Sequence, residues 1–284
     1  MKAKFLAVIA VAVAAASYGY SKFTQPKIVA WGDSLTFGVG AKGYHGYPDY
    51  LKDDGYEVIK RGYPGQASSD IALRQGGLSP TIFTAKLSQG NYSVTSGIDG
   101  DFKKYIEVSY QGTINGVPVT LKRAKDNSWT VSSEEILDCE KGCKFTSSET
   151  IETKNGIYIF WVGRNNNLSF PKFVFRDIDL MVKSLPEGSK YLVLGITPSR
   201  NDTKEQFKSI LFINDNLSKA YGENFIDMRE VLHERGMDMA NLMPSLQDVD
   251  SMLNGTISPR LYSDQVHFND LGYDVIARII KRRL

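Results

Sequence analysis

Five short apolar runs constrain this chain more than any other feature. Residues 28–31, 58–59, 157–162, 192–196 and 225–226 are rich in Ile, Val and Leu and are bounded by Gly, Asn, Asp or Pro. Polar residues do not alternate within them, so they suit strands buried on both faces, as in a parallel sheet covered by helices. Helical periodicity fills most of the intervals. In residues 171–185, Val174, Ile178, Met181 and Val182 fall on one face, and residues 203–222 open with Thr203 and Gln206 at capping-box spacing. The last element, residues 269–284, sets Leu271, Val275, Ile276, Ile279 and Ile280 behind Asn269 as N-cap. Strands alternating with helices predict an α/β fold with a doubly wound sheet. A chain of 284 residues can build this as one large domain or as a domain carrying an insertion.

One segment breaks the rhythm. Residues 87–153 show alternation and turn dipeptides such as Asn115-Gly116 and Asp126-Asn127, with no helical period. They predict a small antiparallel β module inserted between the second and third core strands. Its aromatic residues Tyr92, Tyr105, Tyr110 and Trp129 could form a sugar-stacking surface or simply fill a small β core.

The N-terminus carries Lys2 and Lys4, then an uninterrupted apolar stretch over residues 5–16, with Ala14 and Ala16 at A-x-A spacing. This predicts a signal peptide over residues 1–16, or an uncleaved anchor, and a tether over 17–26. The expected location is therefore periplasmic or secreted. In such an oxidising compartment Cys139 and Cys143, flanking a Glu-Lys-Gly turn, form a candidate disulfide. Two unpaired buried thiols are the alternative reading, and a structural zinc would need two more ligands. A net charge of +2 without a long basic block argues against nucleic acid as a partner.

Candidate chemistry starts at Ser34, which follows the first apolar run. A serine there can be a nucleophile or merely cap the next helix. Acyl transfer by serine also needs a base, a carboxylate to orient it, and donors for the developing oxyanion. The chain has three histidines. His233 sits in a charged helical stretch and reads as solvated surface, and His45 lies in a Gly/Tyr-rich loop without a carboxylate at fixed spacing. His267 follows Asp264 by three residues just before the last helix, so one turn can bring carboxylate and imidazole together.

Four blocks in this order resemble the SGNH or GDSL hydrolases: Gly-Asp-Ser-Leu at 32–35, Arg-Gly-Tyr-Pro-Gly-Gln-Ala-Ser at 61–68, Gly-Arg-Asn-Asn at 163–166, and Asp-Gln-Val-His at 264–267. The resemblance implies a flavodoxin-like three-layer α/β/α domain over residues 27–284 with a central parallel sheet of about five strands. It also implies that Ser34 is the nucleophile, His267 the base and Asp264 its orienting carboxylate. The N–H groups of Ser34 and Gly65 and the amide of Asn165 would form the oxyanion hole. The sequence departs from the pattern at Asn166, where the family usually has Asp, and at Lys60 and Arg61, where an Asn often stands. The last two are expected to alter the rim of the site or its affinity for an anionic substrate.

The implied activity is ester hydrolysis through an acyl-enzyme, with no metal or organic cofactor. Export and the β insertion favour an O-acetylesterase acting on a polysaccharide or cell-wall glycan. Alternatives are a lipolytic esterase or lysophospholipase, and a catalytically silent glycan-binding protein.

Overall fold

A computed structural model describes residues 26–284 except 105 and 154. The expected signal segment, all of the tether but its last residue, and Tyr105 lie outside the described residues.

Five parallel strands form the central sheet: β1 (Ile28–Gly32), β2 (Val58–Gly62), β9 (Ile157–Trp161), β10 (Lys190–Leu194) and β11 (Phe225–Ile226), in the order β2-β1-β9-β10-β11. Taken by themselves these strands have the doubly wound order 2-1-3-4-5. Successive side chains in a strand face opposite ways, and the two faces here bury different partners. Ile28, Ala30, Ile159, Trp161 and Leu194 pack with α2 (Tyr47–Asp53), α6 (Met228–Met239) and α8 (Asp270–Lys281). Val29, Trp31, Tyr158, Phe160 and Val193 pack with α3 (Ser68–Gln75), α4 (Lys172–Lys183) and α5 (Lys204–Tyr221). The three-layer arrangement follows from that alternation.

The inserted module is larger than expected. Six antiparallel strands, β3 (Thr81–Ser88), β4 (Asn91–Ser96), β5 (Val108–Ile114), β6 (Val117–Arg123), β7 (Trp129–Ser132) and β8 (Cys143–Ser147), close into a barrel in the order β3-β4-β7-β6-β5-β8. Its first strand begins six residues before position 87, because Ile82 and Thr84 already point into the barrel while Thr81 and Ala85 face solvent. Pairing of Thr81 and Ile82 with Lys144 and Cys143 closes the ring and leaves no long unpaired edge. Tyr92 and Tyr110 are buried inside it, and Trp129 stacks on Tyr110 at 5.9 Å. Tyr92 and Tyr110 fill the barrel's core, so their faces offer no stacking surface to a sugar, and the half-buried Trp129 packs against that core. Cys139 and Cys143 are joined by a disulfide that closes the turn before β8, with both residues buried.

The barrel is attached to the α/β core through α3. Leu73 of that helix packs in the barrel's apolar cluster, and Asp70, fully buried, receives Arg123 of β6 at 2.7 Å and the Tyr110 hydroxyl at 2.6 Å. The other Asp70 oxygen accepts the backbone N–H groups of Ala67 and Lys103, both at 3.0 Å. Burial, reinforced by the adjoining Asp70 charge, pushes the Tyr110 hydroxyl well above its ordinary pKa and keeps it a proton donor.

Candidate active site

Strand β1 ends at Gly32, where a Cβ would come within 2.2 Å of the Thr36 hydroxyl and 2.6 Å of the Trp161 carbonyl, so only glycine lets the chain turn here. The next helix, α1 (Ser34–Phe37), has four residues, far below the ~12 an isolated helix needs. It persists because Leu35 is buried and because Asp33 caps it, accepting the Leu35 N–H at 2.9 Å. The capping role expected for a hydroxyl at this position therefore belongs to Asp33, which leaves the Ser34 hydroxyl for another partner.

That partner is His267. Its Nε2 lies 2.9 Å from Ser34 Oγ, and its Nδ1 lies 2.7 Å from Asp264 Oδ2. The second Asp264 oxygen accepts the backbone N–H groups of Val266 and His267, each at 2.7 Å. Burial would raise the Asp264 carboxyl, but those two N–H bonds and the imidazole outweigh it and hold the pKa below the usual carboxylate range. With Asp264 ionised, Nδ1 carries the proton and Nε2 is left to accept from the serine. The loop is fixed by a hairpin: Ser263 N–H donates to the His267 carbonyl at 2.9 Å, and Tyr262 pairs with Phe268.

The three expected oxyanion donors converge on the same end of the sheet. Gly65 takes a left-handed φ of +80°, and the N–H groups of Ser34 and Gly65 have no acceptor among the described residues. Asn165 Nδ2 donates to Asp33 Oδ2 at 3.1 Å and to the Gln66 carbonyl at 3.0 Å. Gln66 is in turn held by Arg74, whose Nε donates to its side chain at 3.0 Å and whose Nη2 donates to the Arg61 carbonyl at 3.0 Å. Arg74 also lies against the Trp31 and Tyr63 rings.

Asp33 and Arg74 were not anticipated as parts of the site. Asp33 stands inside the first block, but its burial and its contact with Asn165 show only in three dimensions, and Arg74 belongs to none of the four blocks. Burial raises the Asp33 carboxyl from 3.8 to about 6, against the opposing bond from Leu35 N–H. A carboxyl raised in the folded state favours folding most below its unfolded pKa, and that contribution is lost as pH rises through about 6. Relative to Asp33→Asn, the wild-type unfolding free energy should therefore fall by about 1 kcal/mol between pH 5 and pH 7. Urea titrations of both proteins at the two pH values measure this, and parallel pH dependences would contradict it.

Asn166 has a specific physical reason. Its Oδ1 accepts the Ser68 N–H at 2.9 Å, while its Nδ2 donates to Ser68 Oγ at 2.8 Å and to Asp101 Oδ2 at 3.0 Å. Ser68 Oγ already gives its proton to the buried Asp177, at 2.6 Å. A carboxylate at position 166 would face Asp101 with no proton between them. Asn166→Asp should thus destabilise the fold by about 2 kcal/mol or more, and Asp101→Asn/Asn166→Asp should recover part of the loss. Thermal denaturation of the single and double variants decides; a single variant as stable as wild type would contradict the account.

Other expectations need correction. The Lys60 amine does not sit free at a rim: it donates to the Phe37 and Tyr44 carbonyls, both at 2.9 Å, and pairs with Asp49. His233 is not simply solvated, because Nδ1 contacts the Thr256 carbonyl at 2.8 Å. His45 pairs with Asp53 of α2 at 2.8 Å and takes no part in the Ser34 constellation.

No protein-family profile matches the chain, and no curated protein does. Among solved structures, a protein assigned to the lipolytic G-D-S-L family from Desulfitobacterium hafniense DCB-2 is similar over 92% of this chain and 100% of its own, at 15% identity and a TM-score of 0.48. One assigned as a platelet activating factor from Streptococcus pneumonia is similar over 93% of this chain and 86% of its own, at 11% identity and a TM-score of 0.46. A peptidoglycan O-acetylesterase is similar over 94% and 92%, at 13% identity and a TM-score of 0.35. Such values carry no functional argument, and the roles proposed below rest on the geometry of the site itself.

Proposed function

We propose that this protein is a serine ester hydrolase acting through Ser34, His267 and Asp264, and that its substrate is an O-acetylated glycan. The observation that carries the proposal is the unbroken line of contacts from Ser34 Oγ to His267 Nε2 at 2.9 Å and from His267 Nδ1 to Asp264 at 2.7 Å. In this reading His267 takes the serine proton as Oγ attacks the ester carbonyl, then returns it to the departing alcohol. The same imidazole activates water to release the acid. Free N–H groups at Ser34 and Gly65 receive the developing oxyanion. Asn165 joins them by exchanging its bond to Asp33 for one to the substrate oxygen.

The glycan part of the reading is supported by the placement of the barrel. Its β4–β5 connection reaches the third motif: Asp101 accepts from Asn166 and from the Asn167 N–H at 2.9 Å. In this reading the module, held beside the Asn165 loop, extends the surface that a polymer would contact. A lipolytic reading is favoured by a different feature, the outward apolar face of α7 (Leu246–Leu253), where Leu246 is 92% and Leu253 80% exposed. Rates on acetyl, butyryl and octanoyl esters separate the two. A steep fall from acetyl onward is expected, and a rise with chain length would move the assignment to lipid. A fluorophosphonate probe should label Ser34; no labelling together with glycan binding would favour a non-catalytic protein.

The expected secretory segment would bring the enzyme to such a glycan outside the cytoplasm. Among the described residues no helix is long and apolar enough to cross a membrane.

A further inference from the structure

Next to the loop that carries Asp264 and His267 lies a concavity of about 610 Å³, in the size range of ligand pockets. Its apolar lining includes Phe207, Ile257 and Tyr262, and Arg200, Lys204 and Lys208 also line it. It adjoins the catalytic loop directly. Ser199 Oγ and Arg200 N–H both donate to the carbonyl of Gln265, which stands between Asp264 and His267, at 3.0 and 2.8 Å. Tyr262, on the same loop, donates its hydroxyl to the Pro198 carbonyl at 2.8 Å.

The charge balance of the pocket is one-sided. Its carboxylate at Asp202 is taken up by Arg164 through two bonds of 2.7 and 2.9 Å, and by the Ser199 N–H at 2.7 Å. Asp250 accepts Asn254 Nδ2 at 2.8 Å, a neutral partner, so among the described residues it is the one lining carboxylate without a cation, against three lining cations. Among the described residues the side chains of Arg200, Lys204 and Lys208 have no carboxylate partner, although all three border the same space. Three unpaired cations beside an aromatic and aliphatic lining match a ring that is apolar on one face and carries an anion on its edge.

We infer that this pocket is a substrate subsite for a carboxylate-bearing sugar residue, one that neighbours the acylated sugar along the chain. The inference rests on the esterase reading above and narrows its substrate to an acidic glycan. Phe207 supplies the stacking face, the three cations hold the carboxylate, and the bonds from Ser199 and Arg200 to the Gln265 carbonyl keep the occupied subsite in register with the loop that carries His267.

The test compares wild type with Arg200→Ala/Lys204→Ala/Lys208→Ala on three substrates: p-nitrophenyl acetate, a neutral O-acetylated oligosaccharide, and an O-acetylated oligouronate. Wild type should prefer the oligouronate by about tenfold in kcat/KM, and the variant should lose that preference while both other rates stay within about twofold. Equal wild-type rates on acidic and neutral oligosaccharides would overturn the inference, as would an equal fall on both in the variant. Calorimetric binding of an unacetylated oligouronate to Ser34→Ala, with and without the three substitutions, addresses the pocket apart from catalysis. Wild-type inactivity on p-nitrophenyl acetate with retained oligouronate binding would sink the esterase reading and leave the subsite standing. Absence of binding would sink the subsite alone.

Discussion

Ser34→Ala is expected to lower ester hydrolysis by roughly 10³-fold or more, with p-nitrophenyl acetate turnover as the measurement. Deleting Oγ removes the atom that would form the acyl-enzyme, so the two-step route closes and only direct attack by water remains. The Asp264–His267 pair does not depend on that hydroxyl: His267 is fixed by its bond to Asp264 and by the hairpin through Ser263. Folding should therefore be nearly unchanged, since Ser34 Oγ caps no helix and Asp33 makes the Leu35 bond. A variant that loses activity and also unfolds would point to structural damage. One that retains wild-type turnover would remove Ser34 from the mechanism.

Arg123→Met should destabilise the protein by about 3–5 kcal/mol, the largest loss expected from any substitution outside the site. Asp70 and Arg123 are both fully buried, and Arg123 also donates to the Asn127 side chain at 3.2 Å and lies against the Phe102 and Trp129 rings. Methionine preserves much of the volume but leaves the Asp70 carboxylate buried without its cation. An apolar replacement of both partners does not escape the cost here, because the Ala67 and Lys103 N–H groups and the Tyr110 hydroxyl would lose their acceptor. In a double-mutant cycle with Asp70→Asn the two losses should fall well short of additive. Strict additivity in denaturant titrations would show that the ion pair is not an energetic unit.

The sheet was legible because burial on both faces leaves a plain mark on sequence: β1, β9 and β10 are apolar throughout the parts that pack, and their shortness and bounding turn residues set them apart from a buried helix. Asp264 and His267 were legible as a pair through local spacing, since their contact is made within one turn, whereas Ser34 was legible only through the four ordered blocks that resemble the SGNH hydrolases. The barrel's start was missed because Thr81–Ser88 has only two inward residues, Ile82 and Thr84, before its second half becomes exposed. For Tyr92 and Tyr110 the alternation left both a core-filling and a surface role open, because an aromatic pointing into a barrel and one pointing out of it occupy the same pattern, and burial decides for the core. Asp33 meets Asn165 across 132 residues, Asp101 meets Asn166 across 65, and Arg74 reaches the Gly32 carbonyl across 42. No periodicity reports contacts of that reach. Asn166 was visible as a departure from a pattern, but its cause, Asp101, lies on an inserted module whose docking depends on tertiary structure.

The ring closure of the barrel has an evolutionary consequence. Because β3 pairs with β8 and the Phe145 N–H donates to the Pro80 carbonyl at 2.9 Å, the polypeptide enters and leaves the barrel at neighbouring points. An ancestor could gain such a cassette within one surface loop without stretching the α/β scaffold, since the span to be bridged hardly changes. Removal is a different matter: without the barrel the buried Asp70 of α3 would lose Arg123, its cation, so the scaffold depends on its guest.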